Sequence, residues 1–113
     1  MKAIIIEDMP AALQALQEEI KTHCPDIEII GTADSVVSGA KLLRQTKPDL
    51  IFLDILLGDG TGFDLLEIFP DLQSVIIFVT ASDEHAVRAF RFAAIDYLLK
   101  PVDPTQLKAA VTR

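Results

Sequence analysis

One cysteine in 113 residues, Cys24, excludes an internal disulfide and a cysteine zinc site, and predicts a buried filler. No apolar run approaches the ~18 residues that span a bilayer, so neither a transmembrane helix nor membrane contact is expected. The opening stretch Met1-Lys2-Ala3-Ile4-Ile5-Ile6-Glu7-Asp8 is too short for a secretion signal and meets two acids instead of a cleavage site. With the lone thiol, this points to a reducing cytoplasm. Basic residues are scarce: 10 Lys and Arg against 17 Asp and Glu, a net charge of −7. Such a chain repels a phosphate backbone at long range, which argues against nucleic-acid binding by this segment alone. The two histidines, His23 and His85, have no partner at ligand spacing, which leaves surface or capping roles. Repeats, low-complexity tracts and linkers are absent as well. One domain over residues 1–113 is expected, of a size that buries roughly 66% of its unfolded surface.

What is present is an apolar run followed by a helical pattern, five times over. Ala3–Ile6, Leu50–Leu53, Val75–Val79 and Ile95–Leu99 are rich in Ile, Val, Leu and Phe without polar alternation, as strands covered on both faces are. The last of them is broken by Asp96-Tyr97. Ile27–Ile30 is interrupted by Glu28 and followed by Thr32, the pattern of a half-exposed edge strand. Pro10 suits a first helical turn, and Leu13, Leu16 and Ile20 share a face until Pro25 ends the helix. Ser35 is placed to cap a helix with Val36, Ala40 and Leu43 inward, ending before Lys47-Pro48. Thr61 precedes Phe63, Leu66 and Phe69, stopped at Pro70. Ser82 precedes Asp83-Glu84, then Val87 and Phe90. Asp103-Pro104 opens a final helix with Leu107, Ala110 and Val111 inward. Five βα units in series predict a parallel sheet with helices on both faces. The last helix has barely three turns at Arg113, which predicts a domain cut from a longer chain.

The polar residues that end the buried strands carry the chemistry. Strand one ends in Glu7-Asp8, strand three in Asp54 and strand four in Thr80, while strand five leads to Lys100-Pro101. Ligands of open α/β sheets bind beyond the carboxyl ends of the strands. A single strand-end Asp is ordinarily a loop cap or a solvated acid; four chemical groups at one edge are harder to dismiss. Three acids in a crevice call for a cation, and an oxygen-only set without His or Cys selects a hard ion, Mg²⁺ before Zn²⁺. A cation, the Lys100 ammonium and the Thr80 hydroxyl together suit a phosphoryl group in transfer, and a carboxylate can serve as its nucleophile.

In these residues, and over essentially its whole length, the sequence resembles the receiver domain of two-component response regulators. The matching residues are Glu7-Asp8, Asp54 after Leu50-Ile51-Phe52-Leu53, Thr80, Tyr97 and Lys100-Pro101. The resemblance implies a flavodoxin-like (βα)5 doubly wound parallel sheet of order 2-1-3-4-5, with the Glu28 strand at one edge. It implies that Asp54 is the phosphoacceptor, taking its phosphoryl group from a sensor histidine kinase and catalysing its own phosphoryl transfer and dephosphorylation. Asp8, Asp54 and the backbone carbonyl of Leu56 would hold Mg²⁺, Glu7 would act mainly through water, and Thr80 and Lys100 would contact the phosphoryl oxygens. Gly58-Asp59-Gly60-Thr61-Gly62-Phe63 and Ala94–Pro101 look most like receivers of LytTR-type (LytR/AlgR-like) regulators, in which a DNA-binding output domain that regulates transcription follows the receiver. Receivers commonly carry proline where Gly58 stands; the departure bears on the timing of dephosphorylation, not on the acceptor.

Several signals have plainer readings. The Gly58–Gly62 loop lacks the Gly-Lys-Ser/Thr ending of a phosphate-binding loop and reads as a turn. Tyr97 is either a core aromatic with its hydroxyl at the surface or a rotamer switch coupled to Thr80. Arg88 and Arg91 form a solvated helix face or, with Asp96, the contact of a phosphorylation-dependent homodimer. Three functions stay open: a phospho-accepting signalling switch, a haloacid dehalogenase-like aspartyl phosphatase, and a non-phosphorylated pseudo-receiver used for protein contact. The phosphatase would need a second Asp two residues beyond the nucleophile, where Leu56 stands. The pseudo-receiver would be expected to have lost an acid, Thr80 or Lys100, and none is lost.

Overall fold

The structure, a computed structural model, describes residues 1–82, 84–92 and 94–112, the side chains of Val87 and Phe90 excepted. The expectations for Asp83 and for the inward-facing Val87 and Phe90 lie outside the described residues. Strands β1 (Lys2–Ile6), β2 (Glu28–Ala33), β3 (Leu50–Leu53), β4 (Val75–Thr80) and β5 (Asp96–Leu99) alternate with helices α1 (Pro10–His23), α2 (Val36–Gln45), α3 (Gly62–Ile68), α4 (Ala86–Phe90) and α5 (Pro104–Val111). All strand pairs are parallel and the order is β2-β1-β3-β4-β5. This is the flavodoxin-like (βα)5 arrangement that the sequence predicts.

The alternation of a β-strand sorts the apolar residues into two cores. Ala3, Ile5, Leu50, Phe52, Ile77, Val79 and Leu98 face α1 and α5, meeting Leu16, Ile20, Leu107 and Ala110. Ile4, Ile6, Ile51, Leu53, Ile76 and Phe78 face α2, α3 and α4, meeting Ala40, Leu43, Phe63, Leu65, Leu66 and Ala89. With both faces covered, the central strands have no place for a polar residue, which accounts for their unbroken apolar sequence. Cys24 is buried and unpaired beneath α1, as filler.

The edges behave differently. On β2, Glu28 and Thr32 are exposed, as an edge strand requires. On β5 the expectation of a strand covered on both faces needs correction: the strand begins at Asp96, and of its residues only Leu98 is buried. The sheet order makes β5 the second edge, so its polar Asp96-Tyr97 is the mark of an edge rather than an interruption.

Local chemistry sets the helix ends. Pro10 begins α1. Ser35 and Ser38 form a reciprocal capping box on α2, and Thr61 and Asp64 another on α3. The Asp103 carboxylate accepts the Thr105 N–H at 2.7 Å to start α5. Ser82 does not cap α4. Its hydroxyl accepts the Glu84 N–H at 3.3 Å within a turn, and the helix starts after His85, whose side chain makes no capping bond.

Gly62, the first residue of α3, passes so close to the end of β3 that a Cβ there would lie 2.5 Å from the Asp54 carbonyl oxygen and 3.0 Å from Leu53 Cγ. Its N–H donates to the Ile55 carbonyl at 2.8 Å. Gly62→Ala is expected to lower stability by about 1–3 kcal/mol, the cost of overpacking a fixed backbone. Urea unfolding checks this; a loss below about 0.5 kcal/mol, the range of an ordinary surface change, would mean the close approach is not constrained.

Candidate functional site

Sheet register delivers the site. Ile6 pairs with Leu53 across β1 and β3, so Glu7 and Asp54, one residue on, emerge side by side. Leu53 pairs with Phe78 and Thr80 with Leu99, which brings the end of β4 and Lys100 to the same rim. The Lys100 N–H continues the ladder to the Thr80 carbonyl at 2.8 Å. Its side chain then crosses the end of β4 to reach groups carried by β3 and β1.

Lys100 Nζ donates to Asp54 Oδ2 at 2.9 Å and pairs with Glu7 Oε1. Asp54 Oδ1 accepts the Ile55 N–H at 2.7 Å, and Glu7 Oε2 the Met9 N–H at 3.2 Å. Among the described residues Glu7, Asp54 and Thr80 are the buried polar ones, at 4%, 6% and 1% exposure. The Glu7 carboxyl is pushed up to about 7, first by burial and then by the hydrogen bond and charge of Asp54, against the pull of Lys100 and the Met9 N–H. Burial also pulls Lys100 down, but the hydrogen bonds and charges of Glu7 and Asp54 outweigh it and leave the ammonium more strongly protonated than a free lysine.

Asp8, half-buried, completes the acids: Glu7, Asp8 and Asp54 each offer a carboxylate oxygen, all within 4.8 Å of one another. One ammonium among three carboxylates leaves negative charge at the rim. An oxygen-only donor set at this spacing fits a hard divalent ion such as Mg²⁺. The chain after Asp54 folds back over the acids. Leu56 bridges Thr61 through its backbone while its side chain is exposed, and Leu57 is anchored in the core. Gly58 has φ +73°, which L side chains rarely adopt and proline cannot, so the residue that departs from the family pattern matches its local backbone. A Cβ at Gly58 would stand 4.0 Å from Asp8 Oδ2.

Tyr97 lies on β5 opposite Phe78, with ring centroids 6.2 Å apart, and its hydroxyl donates at 2.5 Å to the carbonyl of Ser82, two residues past Thr80. The remaining sequence candidates stand apart from the acids. Arg88, on α4, is exposed and lies 4.4 Å over the Phe63 ring and 3.9 Å from Glu67, so the solvated helix face also touches α3. Arg91 ends α4 exposed. Asp96 begins β5, at the end of the strand away from Lys100, and accepts the Tyr97 N–H at 2.7 Å. His23 pairs with Glu19 one turn back at 3.5 Å, and His85 with Glu84 at 3.1 Å.

Sequence reasoning missed Asp59. Its Oδ1 accepts the Val36 N–H at 2.8 Å and its Oδ2 the Val37 N–H at 3.2 Å, the first two amides of α2. The Val36 bond chiefly holds its carboxyl below the usual range, against burial and with help from Val37. A Gly-Asp-Gly triplet signals a turn but not which helix the acid will cap. A surface depression of about 1260 Å³ lies at the opposite end of the sheet among Met1, Phe69, Leu72 and Val75 and contains none of the acid cluster.

Residues 3–112 match the response regulator receiver domain family. The chain is 41% identical over 114 residues to an uncharacterized response regulatory protein of Vibrio vulnificus, covering 100% of this chain and 47% of that protein. It is 36% identical over 115 residues to the sensory transduction protein LytT of Enterococcus faecalis, again covering 100% of this chain and 47% of the relative. The chain thus spans about half the length of the curated relatives it matches. Among solved structures, the response regulatory domain of MrkE from Klebsiella pneumoniae superposes with a TM-score of 0.89 at 38% identity, over 99% of this chain and 93% of that one.

The raised Glu7 carboxyl has a consequence for stability. Between 4.5 and about 7 the folded chain holds a proton that the unfolded chain has lost. The stability Glu7 contributes is therefore full below pH 4.5 and lost as pH rises to about 7, by up to about 1.4 kcal/mol per unit. In metal-free buffer, Glu7→Gln should remove this fall, so that the stability difference between mutant and wild type grows in the mutant's favour from pH 5 to 7.5. Parallel stability–pH curves in urea titrations would refute the assignment.

Proposed function

The chain belongs to the response regulator receiver domain family, and on that premise we propose that Asp54 is the residue phosphorylated and that Lys100, Thr80 and the acid pair carry out its chemistry. The family is one of phosphorylation-activated switches controlling downstream signalling, phosphoacceptors rather than turnover enzymes, and the acidic cluster here is typical of it. The observation that carries the residue assignment is convergence: the ends of β1, β3 and β5 bring Glu7, Asp54 and Lys100 into direct contact, beside Asp8 and Thr80.

In the proposed reaction an Asp54 carboxylate oxygen attacks the phosphorus of a phosphohistidine on a sensor kinase. The new P–O bond forms as the P–N bond breaks, and the imidazole keeps the electron pair. Lys100, already bonded to Asp54 Oδ2, places an ammonium where the phosphoryl oxygens accumulate charge, and Thr80 offers a hydroxyl donor. Asp8, Asp54 and the Leu56 carbonyl would hold Mg²⁺, with Glu7 acting through water. The ion supplies positive charge that offsets the carboxylates and the incoming phosphoryl group. Water later cleaves the acyl phosphate and resets the switch. Thr80 drawn toward the phosphoryl group would release space beside β5, and the Tyr97 bond to the Ser82 carbonyl ties that change to the loop leading into α4. The α4–β5 face with Arg88, Arg91 and Asp96 is the proposed surface of a phosphorylation-dependent homodimer. The proposed regulator is LytTR-type, with a DNA-binding output domain following the receiver, which the identity to LytT supports, and cytoplasmic, which the lone thiol of Cys24 supports.

Incubation with an acyl phosphate and Mg²⁺ should add one phosphoryl mass to the intact protein, and Asp54→Asn should abolish the addition. An unchanged mass shift in the variant would sink the acceptor assignment. Separately, Asp8→Ala should weaken Mg²⁺ binding by about tenfold or more in titration calorimetry, each tenfold step being roughly 1.4 kcal/mol. Wild-type affinity in that variant would place the ion elsewhere.

A further inference from the structure

The loop from Asp54 to Thr61 must hold Asp54 toward the acids while carrying little stiffness of its own. Gly58 and Gly60 flank its tip and contribute no side-chain restraint. Several of its bonds are internal: Asp59 N–H to the Leu57 carbonyl at 2.7 Å, and the two bonds of the Leu56–Thr61 bridge, Leu57 N–H to the Gly60 carbonyl at 3.0 Å and Gly62 N–H to the Ile55 carbonyl at 2.8 Å. Such bonds give the loop a shape without fixing it relative to the sheet. Its first anchor is at its ends: Ile55 and Leu57 are buried, and Gly62 packs against the Asp54 carbonyl. Fixed ends leave the tip between Gly58 and Gly60 to turn, and that tip passes beside Asp8 Oδ2.

The second anchor is the Asp59 carboxylate, whose two oxygens take the Val36 and Val37 N–H groups. Ser35 serves the next amide, Ser38, at 2.9 Å, so α2 has its own cap at one amide and borrows the loop's acid for the two before it. We propose that Asp59 is a positioning residue for the phosphoryl-acceptor site: by clamping the tip of the Asp54–Thr61 loop to the start of α2, it fixes how the backbone around Leu56 and Gly58 faces Asp8 and Asp54, and thereby sets Mg²⁺ affinity without touching the ion. The inference rests on the reading of Asp54 as acceptor and of these acids as the Mg²⁺ site.

The test compares Asp59→Ala, Asp59→Asn and Ser35→Ala with wild type, each confirmed folded by circular dichroism at the working temperature. Asp59→Ala should raise the Mg²⁺ dissociation constant about tenfold, the lower end of what supporting groups around a metal contribute. The Mg²⁺ concentration needed for half-maximal acyl phosphate-driven phosphorylation should rise in parallel, while the rate at saturating Mg²⁺ stays near that of wild type. Asp59→Asn keeps one acceptor and should recover part of the affinity. Ser35→Ala weakens α2 but leaves the clamp, so its melting temperature should fall while its Mg²⁺ affinity stays at the wild-type value. Without metal, amide exchange at Val36 and Val37 should accelerate in Asp59→Ala. Wild-type Mg²⁺ affinity in folded Asp59→Ala overturns the proposal, as does an equal loss in Ser35→Ala, which would assign the effect to helix stability. If wild type itself neither binds Mg²⁺ nor is phosphorylated at Asp54, the acceptor reading fails and the inference with it; if wild type does both and only the Asp59 variants behave normally, the inference alone fails.

Discussion

Glu7 and Asp54 sit side by side almost out of reach of water, and two carboxylates ~4 Å apart at an effective dielectric of 20 repel by ~4 kcal/mol. Lys100 makes that arrangement tolerable by pairing with both. Its side chain comes from β5 and crosses β4 to reach β3 and β1, so the pairing exists only while all four strands keep their order and register. The compensation is incomplete. The Glu7 carboxyl is pushed up to about 7, and Asp8 adds a third acid, with Lys100 the one cation paired in the cluster among the described residues. The site therefore stands ready for more positive charge, which is the condition a hard divalent ion and an incoming phosphoryl group require together.

The strands concentrate this chemistry at one end because they cannot carry it anywhere else. Between Ala3 and Ile6 and between Leu50 and Leu53 each residue is taken up by one of the two cores, and a polar side chain there would be buried without a partner. The first position where a carboxylate meets donors is the residue after the last ladder pair. There Asp54 finds the Ile55 N–H and Lys100, and Glu7 the Met9 N–H.

This is also why the site was largely legible in the sequence. An unbroken apolar run followed at once by an acid marks both the strand and its carboxyl end, and the same run marked the central strands and the Glu28 edge. Helix starts were legible where a single side chain decides them, as at Ser35, Thr61 and Asp103. They failed where the decision is made in three dimensions. Ser82 has the side chain of a cap, but it serves a turn, and α4 starts only after His85. Asp59 caps a helix 22 and 23 residues earlier in the chain, and no local pattern records such a bond. Arg88 is exposed, as a solvated face requires, but its contact with the Phe63 ring depends on where α3 is placed. For β5, composition pointed to a core strand, whereas sheet order made it an edge.

The two flanks of the site are held in different ways, and the difference bears on how a switch would use them. The acceptor loop is fixed by Leu57 in the core, by Asp59 on α2 and by Gly62 against the Asp54 carbonyl, so it has three points of support around the reacting carboxylate. On the other flank α4 has only five residues and no side-chain cap. Isolated helices shorter than ~12–15 residues are marginal, so α4 owes its place to side-chain contacts. Those described are Arg88 on Phe63 and Glu67, the His85 and Phe92 rings on Phe63, the buried Ala89, and the Tyr97 hydroxyl on the loop that leads into it. Tyr97 and Phe63 both pack on Phe78, the β4 residue two before Thr80. A displacement of Thr80 would thus meet backbone and carboxylate supports on the side of the acceptor loop, and on the side of α4 the rings that converge on Phe63 and Phe78. Under the proposed chemistry, the fold keeps the acceptor on the flank with three supports and reaches the α4 surface through aromatic contacts on the other.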